Sequence, residues 1–303
     1  MGFQKLNPML KPQAAEIPMF EKQIEKAARY KYKCTTDFRS GFWQQGLTDR
    51  ARALTAFITA SQSILRWNVL PFGITMAPGA FQEATNHFVY LVSKEPAVRK
   101  LLDEDKCCVE VAIDDLTIAA DTEEDVLIIL QTLFKVCREW GIRLNLEKST
   151  SMEQEVDLLG LRVGYRQWWP TPAKLVAVQD FKVKTRRDLR AFLGLLNFLR
   201  LHVRYGRPAH RRLTGLISEK IPWTWGEQEE ELLQEVRAAV ANYIVIGTPL
   251  PNYEMVLITD SSKKGGAGGL WQWQPLDPDH PQDFGPPTKA NSKGDLVTHR
   301  EHY

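Results

Sequence analysis

The chain has 303 residues, of which 44% are hydrophobic and 25% charged, a balance typical of a globular protein with a buried core. No apolar run approaches the roughly 18 residues of a membrane-spanning helix, and the first residues lack the apolar segment of a secretory signal. The four cysteines form no C-x-x-C pair, so neither a zinc site nor a disulfide framework is predicted. We therefore expect two or three structural units in a reducing compartment, without a membrane partner.

The net charge is only +2, but the basic residues are concentrated in one segment. Residues 162–212 contain 13 Lys or Arg and two acidic residues, a local net charge of +11. Such an excess is typical of a surface that binds a polyanion such as nucleic acid. A solvent-exposed helical face would carry the same charge, so charge alone leaves both interpretations open.

The first part of the chain favours short elements of mixed type. We predict a helix over 20–28, a strand over 30–37 that ends at Asp37, and short strands over 53–58 and 64–70. After a turn region rich in Pro and Gly, the apolar residues from Phe81 to Val92 have helical spacing. Two apolar strands over 109–113 and 116–120 are joined by an Asp-Asp pair, which predicts a compact hairpin.

The second part becomes more helical. Thr122 caps a predicted helix with an apolar stripe, and Gly141 ends it. Short strands are predicted over 142–146 and 156–163, and Thr185 caps a basic helix with an apolar face. A helix with an acidic start follows over 227–242, and two last strands over 255–260 and 267–273 surround a glycine-rich turn.

Asp114 and Asp115 are adjacent carboxylates at the tip of the hairpin, where they repel each other. In one interpretation they are solvated turn residues, since Asp is common in turns. In the other they bind divalent cations, which prefer hard oxygen ligands and neutralise the pair. Asp37 could then supply a carboxylate that bridges two ions. Two ions about 3.5–4 Å apart would activate a 3′-hydroxyl and stabilise the leaving pyrophosphate.

Six blocks, in order over about 160 residues, resemble the reverse transcriptases of gypsy-type LTR retrotransposons. Phe3-Gln-Lys-Leu-Asn7 is similar to Y-R-K-L-N, and Asp37-Phe-Arg-Ser-Gly-Phe-Trp-Gln44 to D-L-R-S-G-Y-H-Q. Residues 67–82, W-N-V-L-P-F-G-I-T-M-A-P-G-A-F-Q, are similar to M-P-F-G-L-T-N-A-P-A-T-F-Q, and Asp114-Asp115 stands in the place of Y-x-D-D. Residues 141–148, G-I-R-L-N-L-E-K, are similar to G-L-K-L-N-P-E-K, and Asp157-Leu-Leu-Gly160 to F-L-G. Six ordered blocks are far more specific than any single motif.

The resemblance implies an RNA-directed DNA polymerase, a nucleotidyltransferase with an α+β right-hand polymerase fold. It implies partial fingers and palm over 1–162, a helical thumb over 163–218, a tether over 219–253, and the first strands of a truncated ribonuclease H-like α/β domain over 254–303. The implied cofactor is Mg²⁺, as two ions, with Mn²⁺ as an alternative. The implied partners are an RNA or DNA template–primer duplex, deoxynucleoside triphosphates, and protease and integrase regions of a polyprotein. The implied location is intracellular, in the cytoplasm, a virus-like particle or the nucleus.

The resemblance also assigns roles to single residues. The implied metal ligands are Asp37, Asp114 and Asp115; the nucleotide-binding residues Phe38, Phe42, Phe72 and Gly73; and the primer-grip residues Leu158, Leu159 and Gly160. Phe42 would be an aromatic steric gate against a ribose 2′-hydroxyl, although a core aromatic would also suit its position. Lys148 would contact phosphate or, less favoured, protonate pyrophosphate.

The basic segment resembles the family's thumb. Thr185-Arg-Arg-Asp-Leu-Arg-Ala-Phe-Leu-Gly-Leu-Leu-Asn-Phe-Leu-Arg200 is similar to K-x-L-R-S-F-L-G-L-x-N-Y-Y-R. This implies that Arg186, Arg187 and Arg190 contact the phosphates of the duplex, which gives affinity and salt dependence rather than sequence specificity.

Asp260 and Glu301 resemble the first two carboxylates of the family's ribonuclease H domain. Two carboxylates are too few for the usual metal pair, so we expect no ribonuclease H activity from this chain by itself. Ala112 stands where the family carries Tyr or another aromatic, and little sequence precedes the first block. These departures favour an alternative: a catalytically silent, domesticated or decayed retroelement fragment that binds RNA or protein. The oligomeric state stays open.

Overall fold

The computed structural model describes residues 2–10, 19–203, 207–249, 254–262 and 265–272, and it separates into two compact units, Met1–Thr248 and Pro249–Tyr303. The helices are α1 (Phe20–Ala28), α2 (Asp49–Leu54), α3 (Ala77–Ser93), α4 (Pro96–Asp103), α5 (Glu123–Trp140), α6 (Pro172–Gln179), α7 (Arg186–Phe198), α8 (Arg207–Gly215) and α9 (Glu227–Ala241). The strands are β1 (Tyr32–Asp37), β2 (Phe57–Ile58), β3 (Ile64–Leu65), β4 (Cys107–Ala112), β5 (Asp115–Ala120), β6 (Thr150–Glu153), β7 (Val156–Leu158), β8 (Leu161–Gly164), β9 (Gln167–Pro170), β10 (Ile246–Gly247), β11 (Met255–Ser262) and β12 (Gly265–Gln272).

An antiparallel sheet with the strand order β4-β5-β1-β6 forms the centre of the first unit. Successive side chains of a strand point to opposite faces, so one strand can serve two cores. Val109 and Val111 of β4 join one apolar cluster with Phe88 of α3 and Ile129 of α5. Cys108, the residue before Val109, points to the other face and joins the opposite cluster. The sheet is therefore covered on both faces, which holds its strand ends in a defined place.

A second antiparallel sheet, with the order β10-β9-β8-β7, packs on the opposite face. Val156 and Leu158 of β7 and Val163 of β8 are buried there with Ile24 of α1. The turn between β7 and β8 consists of Leu159 and Gly160. This packing connects the first sheet to the helices that follow β9.

Helices α6 to α9 contribute to a separate apolar core. Leu189, Phe192 and Leu196 of α7 are fully buried with Leu213 of α8. Thr185 begins α7 with a capping box, in which its hydroxyl accepts from the Asp188 N–H and the Asp188 carboxylate accepts from the Thr185 N–H. The predicted basic helix and its apolar face are therefore confirmed.

Several predicted strands are wrong. Residues 53–54 belong to α2, because Thr48 caps that helix by accepting from the Ala51 N–H, and only Phe57–Ile58 is extended. Of residues 64–70 only Ile64–Leu65 pairs as a strand. Residues 142–146 do not form a strand, since the chain tightens into a 3₁₀ turn over Leu146–Lys148 after one bridge from Leu144 to Phe38. Residues 156–163 form two strands rather than one.

The second unit contributes the β11–β12 hairpin, which pairs from Met255↔Gln272 to Ser262↔Gly265. The predicted strands over 255–260 and 267–272 are thus confirmed, and residue 273 lies outside the described residues. In the described part of the chain, none of the helices is long and apolar enough to cross a lipid bilayer.

Candidate active site

Strand pairing brings the three predicted metal ligands to one end of the strands of the central sheet. We call this end the carboxylate edge. Asp37 is the last residue of β1 and lies opposite Asp115, the first residue of β5. Asp115 in turn lies opposite Ala112, the last residue of β4. Asp114 is therefore in the two-residue turn between β4 and β5. The register of the strands thus places these three residues at the same end of the sheet.

These carboxylates repel one another in a partly desolvated place. Burial raises the pKa of Asp115, and the negative charges of Asp114 and Asp37 raise it further. Asp37 Oδ1 is buried and has no hydrogen-bond partner among the described residues, while Asp37 Oδ2 is 3.8 Å from Lys148 Nζ. A buried carboxylate oxygen without a partner destabilises the folded state, so a cation bound at this site would stabilise it.

The residues fit a hard divalent cation in their chemistry. Carboxylate oxygens are the ligands that Mg²⁺ prefers, and Asp37 Oδ1 is an unused one. Among the described residues no three His, Cys, Asp or Glu side chains already converge on one point. The Asp114 side chain is exposed, and an exposed side chain changes rotamer within nanoseconds. The third oxygen therefore depends on the rotamer of Asp114.

Lys148 is held beside Asp37 by hydrogen bonds that its neighbours in sequence make to β1. The Asn145 N–H donates to the Asp37 carbonyl over 2.8 Å, and the Ser149 hydroxyl donates to Thr36 Oγ1 over 2.6 Å. The Lys148 side chain remains 73% exposed. Its ammonium group is thus tethered near the carboxylates but stays available to an anionic ligand.

The four predicted nucleotide-binding residues differ in exposure. Phe38 is buried in the core, with edge-to-face contacts to two phenylalanines of α3. Phe42 is half-buried, and its ring centroid lies 5.1 Å from those of Phe72 and Phe81. Phe72 is 62% exposed. A ligand beside this edge can therefore reach the rings of Phe42 and Phe72, whereas Phe38 offers it only backbone atoms.

Gly73 lies in a turn that the N-terminal segment holds. Its φ of 92° is in the left-handed region, which glycine adopts without strain. Asn7 Nδ2 donates to the Gly73 carbonyl, and the Thr75 N–H donates to Asn7 Oδ1, both over 3.0 Å. Asn7 belongs to the first of the six sequence blocks, so this block is bonded directly to the third.

The predicted primer-grip residues form the turn of the β7–β8 hairpin. Leu158 is buried, and Leu159 and Gly160 have φ values of 50° and 83°. Positive φ at both central residues is the pattern of a type I′ turn. A side chain on Gly160 would lie 3.1 Å from the ring of Phe198 in α7 and 3.0 Å from Lys174, so this turn touches the helical region closely.

The predicted thumb arginines differ in their partners. Arg186 donates to the carbonyls of Leu216 and Ile221, over 3.1 and 2.5 Å. Arg190 donates to the Ile217 carbonyl and to Glu219, over 3.2 Å in each case. Arg187 is exposed and forms no hydrogen bond or salt bridge to the described residues. Two of the three guanidinium groups thus hold the segment after α8, and Arg187 is available to a ligand.

The predicted ribonuclease H residues are not brought together by the described residues. Asp260 is in β11, and Glu301 lies outside the described residues. Their roles stay predictions.

Residues 1–163, more than half of the chain, match the model of the family described as reverse transcriptase (RNA-dependent DNA polymerase). The chain belongs to this family. The prediction of a retroelement reverse transcriptase, and with it a family of nucleotidyltransferases, is thereby confirmed, while the gypsy-type assignment stays a prediction.

Similar proteins include viral and transposon polyproteins. The chain is 26% identical over 272 residues to the enzymatic polyprotein of cauliflower mosaic virus (strain Strasbourg). This alignment covers 89% of the chain and 38% of that polyprotein. It is 26% identical over 273 residues to the retrovirus-related Pol polyprotein from transposon 412 of Drosophila melanogaster, covering 90% and 21%. The chain thus spans well under half the length of these curated relatives.

Solved structures confirm the fold. The foamy viral protease-reverse transcriptase in complex with double-stranded DNA superposes with a TM-score of 0.76 at 23% identity, over 89% of this chain and 46% of that one. The same protein with an RNA/DNA hybrid gives 0.73 at 24% identity, over 89% and 35%. The predicted α+β fold of a right-hand polymerase is therefore confirmed.

One residue at the hairpin was missed in the sequence. Gln82 of α3 accepts a hydrogen bond from the Ile113 N–H at the hairpin turn over 2.6 Å. In the sequence, the role of Gln82 is indicated only by its position as the last residue of the third block.

Proposed function

We propose that this chain is the catalytic core of an RNA-directed DNA polymerase that extends a primer with deoxynucleotides. The observation that carries the proposal is the register of β4, β5 and β1, which aligns Asp37 with Asp115 and leaves Asp114 in the turn beside them. In a chain of the reverse transcriptase family, this carboxylate edge is the natural centre for phosphoryl transfer.

Asp37, Asp114 and Asp115 would hold two Mg²⁺ ions, or Mn²⁺ in their place. When bound, the ions supply the charge that lowers the pKa of the attacking 3′-hydroxyl and stabilises the leaving pyrophosphate. The raised pKa of Asp115 supports this role, and so does Asp37 Oδ1, which no described residue hydrogen-bonds, because both indicate a site that lacks positive charge.

The incoming deoxynucleoside triphosphate would lie against Phe42, Phe72 and the turn at Gly73. Phe42 is packed between two rings and cannot easily move aside, so it would exclude a 2′-hydroxyl by its volume. Lys148, tethered near Asp37 and largely exposed, would bind a phosphate oxygen.

The template–primer duplex would be held by the turn at Leu159 and Gly160 and by exposed cations of α7. Since Arg186 and Arg190 are bonded within the protein, Arg187 would supply the main phosphate contact of the three. The structural neighbours are reverse transcriptases solved with double-stranded DNA and with an RNA/DNA hybrid, which supports a nucleic-acid partner of either kind. Protease and integrase regions of a common polyprotein remain part of the proposal, because the relatives are polyproteins.

The test is primer extension by the whole chain on a primed RNA template with deoxynucleotides and Mg²⁺. Wild type should extend the primer, and Asp114→Asn should slow extension by at least ~100-fold, the scale of losses around a catalytic metal. Asp103→Asn, which changes an exposed carboxylate of α4 paired with Arg99, is the matched control and should extend normally. A wild-type chain that binds the primed template but adds no nucleotide with Mg²⁺ or Mn²⁺ would refute the proposal.

Ala112 supports a second candidate, a catalytically silent protein that binds RNA. It is the closing residue of the hairpin and is buried, so it offers no aromatic ring to the primer end. This candidate predicts salt-sensitive RNA binding that is equal in wild type and Asp114→Asn, without extension by either. Extension by wild type would exclude it.

A further inference from the structure

The turn that carries Asp114 has a conformation that its own sequence disfavours. The preceding residue, Ile113, has a φ of 58°, in the left-handed region. Two-residue hairpin turns with positive φ at the first central position strongly prefer glycine, asparagine or aspartate there. A β-branched residue in this region is a true outlier, because its side chain crowds the backbone. Such strain persists only when the surrounding structure imposes it.

The surrounding structure reaches this turn through one side chain of α3. Gln82 is 1% exposed, and its Oε1 accepts from the Ile113 N–H over 2.6 Å. Its Nε2 donates to Asn86 Oδ1 over 2.8 Å and, more weakly, to the Val111 carbonyl over 3.4 Å. Both atoms of the amide are therefore used, one on the turn and the other on the strand that leads into it.

The orientation of this amide follows from its neighbours. Ile113 offers an N–H and so needs an acceptor, whereas Asn86 Oδ1 and the Val111 carbonyl need a donor. Only a group with an acceptor on one side and a donor on the other satisfies all three. Gln82 fills this requirement in a buried place, where an unpaired N–H or carbonyl would be costly.

We propose that Gln82 is a positioning residue for the catalytic turn. Its hydrogen bond holds Ile113 in the left-handed conformation, and the direction of the chain after Ile113 determines where the Asp114 carboxylate lies relative to Asp37 and Asp115. The catalytic consequence rests on the proposed polymerase function, but the structural part does not. Gln82 acts through the turn and touches no reacting atom.

The first measurement is independent of polymerase activity. Gln82→Met keeps the length of the side chain and removes both hydrogen-bonding atoms. Amide hydrogen exchange at Ile113 should become about fivefold faster in this variant, the value of one ordinary hydrogen bond. Thr85→Val is the control: it removes a buried hydroxyl of α3 that donates to the Gln82 carbonyl and not to the turn, and Ile113 exchange should not change. Equal Ile113 exchange in wild type and Gln82→Met would overturn the proposal.

The second measurement concerns catalysis. Single-turnover primer extension at saturating deoxynucleotide should be about 100-fold slower in Gln82→Met, as expected when a reacting group is displaced by about 1 Å. The Kd for the template–primer should be unchanged, since Gln82 is buried. An equal loss of rate in Thr85→Val would assign the effect to a weakened α3 and overturn the positioning role. If wild type itself extends no primer, the proposed function fails, and the exchange measurement still decides the structural part.

Gln82→Glu provides a readout that a general structural role would not produce. An ionised carboxylate still accepts from the Ile113 N–H, but its other oxygen faces the acceptors Asn86 Oδ1 and the Val111 carbonyl. A protonated carboxyl restores the donor, as in the amide. The extension rate of Gln82→Glu, divided by that of wild type at the same pH, should therefore rise as the pH falls. A ratio that falls as the pH falls would overturn the proposal.

Discussion

The β4–β5 hairpin and helix α7 both carry charged residues that the sequence assigns to function, but the tertiary structure treats them differently. At the hairpin, strand register brings Asp37, Asp114 and Asp115 to one edge, and Asp37 Oδ1 has no hydrogen-bond partner in the described part of the chain. In α7, Arg186 and Arg190 are bonded to carbonyls of the protein itself. A carboxylate cluster cannot satisfy itself, because like charges repel, whereas a guanidinium group readily finds backbone acceptors. Unsatisfied groups are therefore the better guide to function.

The largest effect is expected from a change at the hairpin, Asp115→Asn, which should lower activity and raise stability. Asp115→Asn should reduce primer extension by at least ~100-fold, because it removes a proposed metal ligand. The same change should raise the Tm of the metal-free chain at neutral pH. The raised pKa of Asp115 means that its ionised form is disfavoured in the folded state, and this cost is fully present above its folded pKa.

Two measurements check this prediction. Extension is measured as above, and thermal unfolding is followed with EDTA and with Mg²⁺. Mg²⁺ should raise the Tm of wild type more than that of Asp115→Asn, since ligands stabilise the state that binds them. A metal-free Asp115→Asn chain with a lower Tm than wild type would contradict the idea that carboxylate repulsion weakens this edge.

The next effect tests shape rather than charge at the same edge. Phe42→Val should increase incorporation of ribonucleotides relative to deoxynucleotides by about 10- to 100-fold, because a smaller side chain admits the 2′-hydroxyl. The measurement is the ratio of kcat/KM for a matched ribo- and deoxynucleoside triphosphate. Phe181→Val, which changes a half-buried ring in the helical core, is the control for lost packing. An unchanged ratio in Phe42→Val would assign Phe42 to the core alone.

A pair of arginine variants tests the α7 side of the comparison. Arg187→Ala should weaken template–primer binding and reduce the magnitude of its salt dependence by about one ion, without changing the Tm. Arg186→Ala should lower stability by about 1–3 kcal/mol, because the carbonyls of Leu216 and Ile221 lose a charged donor. The two properties are measured by salt-dependent binding and by denaturant unfolding. If Arg186→Ala changes binding and leaves stability unchanged, the assignment from contacts is wrong.

The smallest effect concerns pH and a buried histidine, His202, that follows α7. His202 Nδ1 bonds to the Ile244 carbonyl over 2.9 Å, and its buried Nε2 has no hydrogen-bond partner within the described ranges. Burial lowers the pKa of His202 below 6.5. Below pH 6.5 the unfolded chain therefore binds a proton more readily than the folded chain does. The free energy of unfolding should fall as the pH drops below 6.5, by at most about 1.4 kcal/mol per pH unit.

His202→Asn keeps a donor for the Ile244 carbonyl and removes the titration. Its free energy of unfolding between pH 7 and pH 5 should decrease less than that of wild type, in denaturant titrations. Parallel pH curves for the two proteins would show that another group controls acid stability.

Much of the fold could be predicted from local sequence. The Thr122 and Thr185 caps, the Gly141 end of α5 and the stripe of α7 are signals that depend on neighbouring residues only, and the structure confirms them. The predicted strands that are wrong over 53–56 and 142–146 have a common cause. Their apolar, β-branched composition favours extension, but strand formation needs a partner strand, and the chain there finds a helix cap or a 3₁₀ turn instead.

The sequence by itself determined the family and the residue types of the candidate site, since ordered blocks identify a reverse transcriptase without coordinates. It also predicted the hairpin with the Asp114-Asp115 pair at its tip. Only the tertiary structure decided which groups already have hydrogen-bond partners. In it Phe38 is buried, Arg186 and Arg190 donate to backbone carbonyls, and Gln82 accepts from the Ile113 N–H. The physical reason is that sequence specifies which hydrogen bonds and charges a residue can offer. Long-range packing decides which of them are already used, and those left unused are available to metal and nucleic acid.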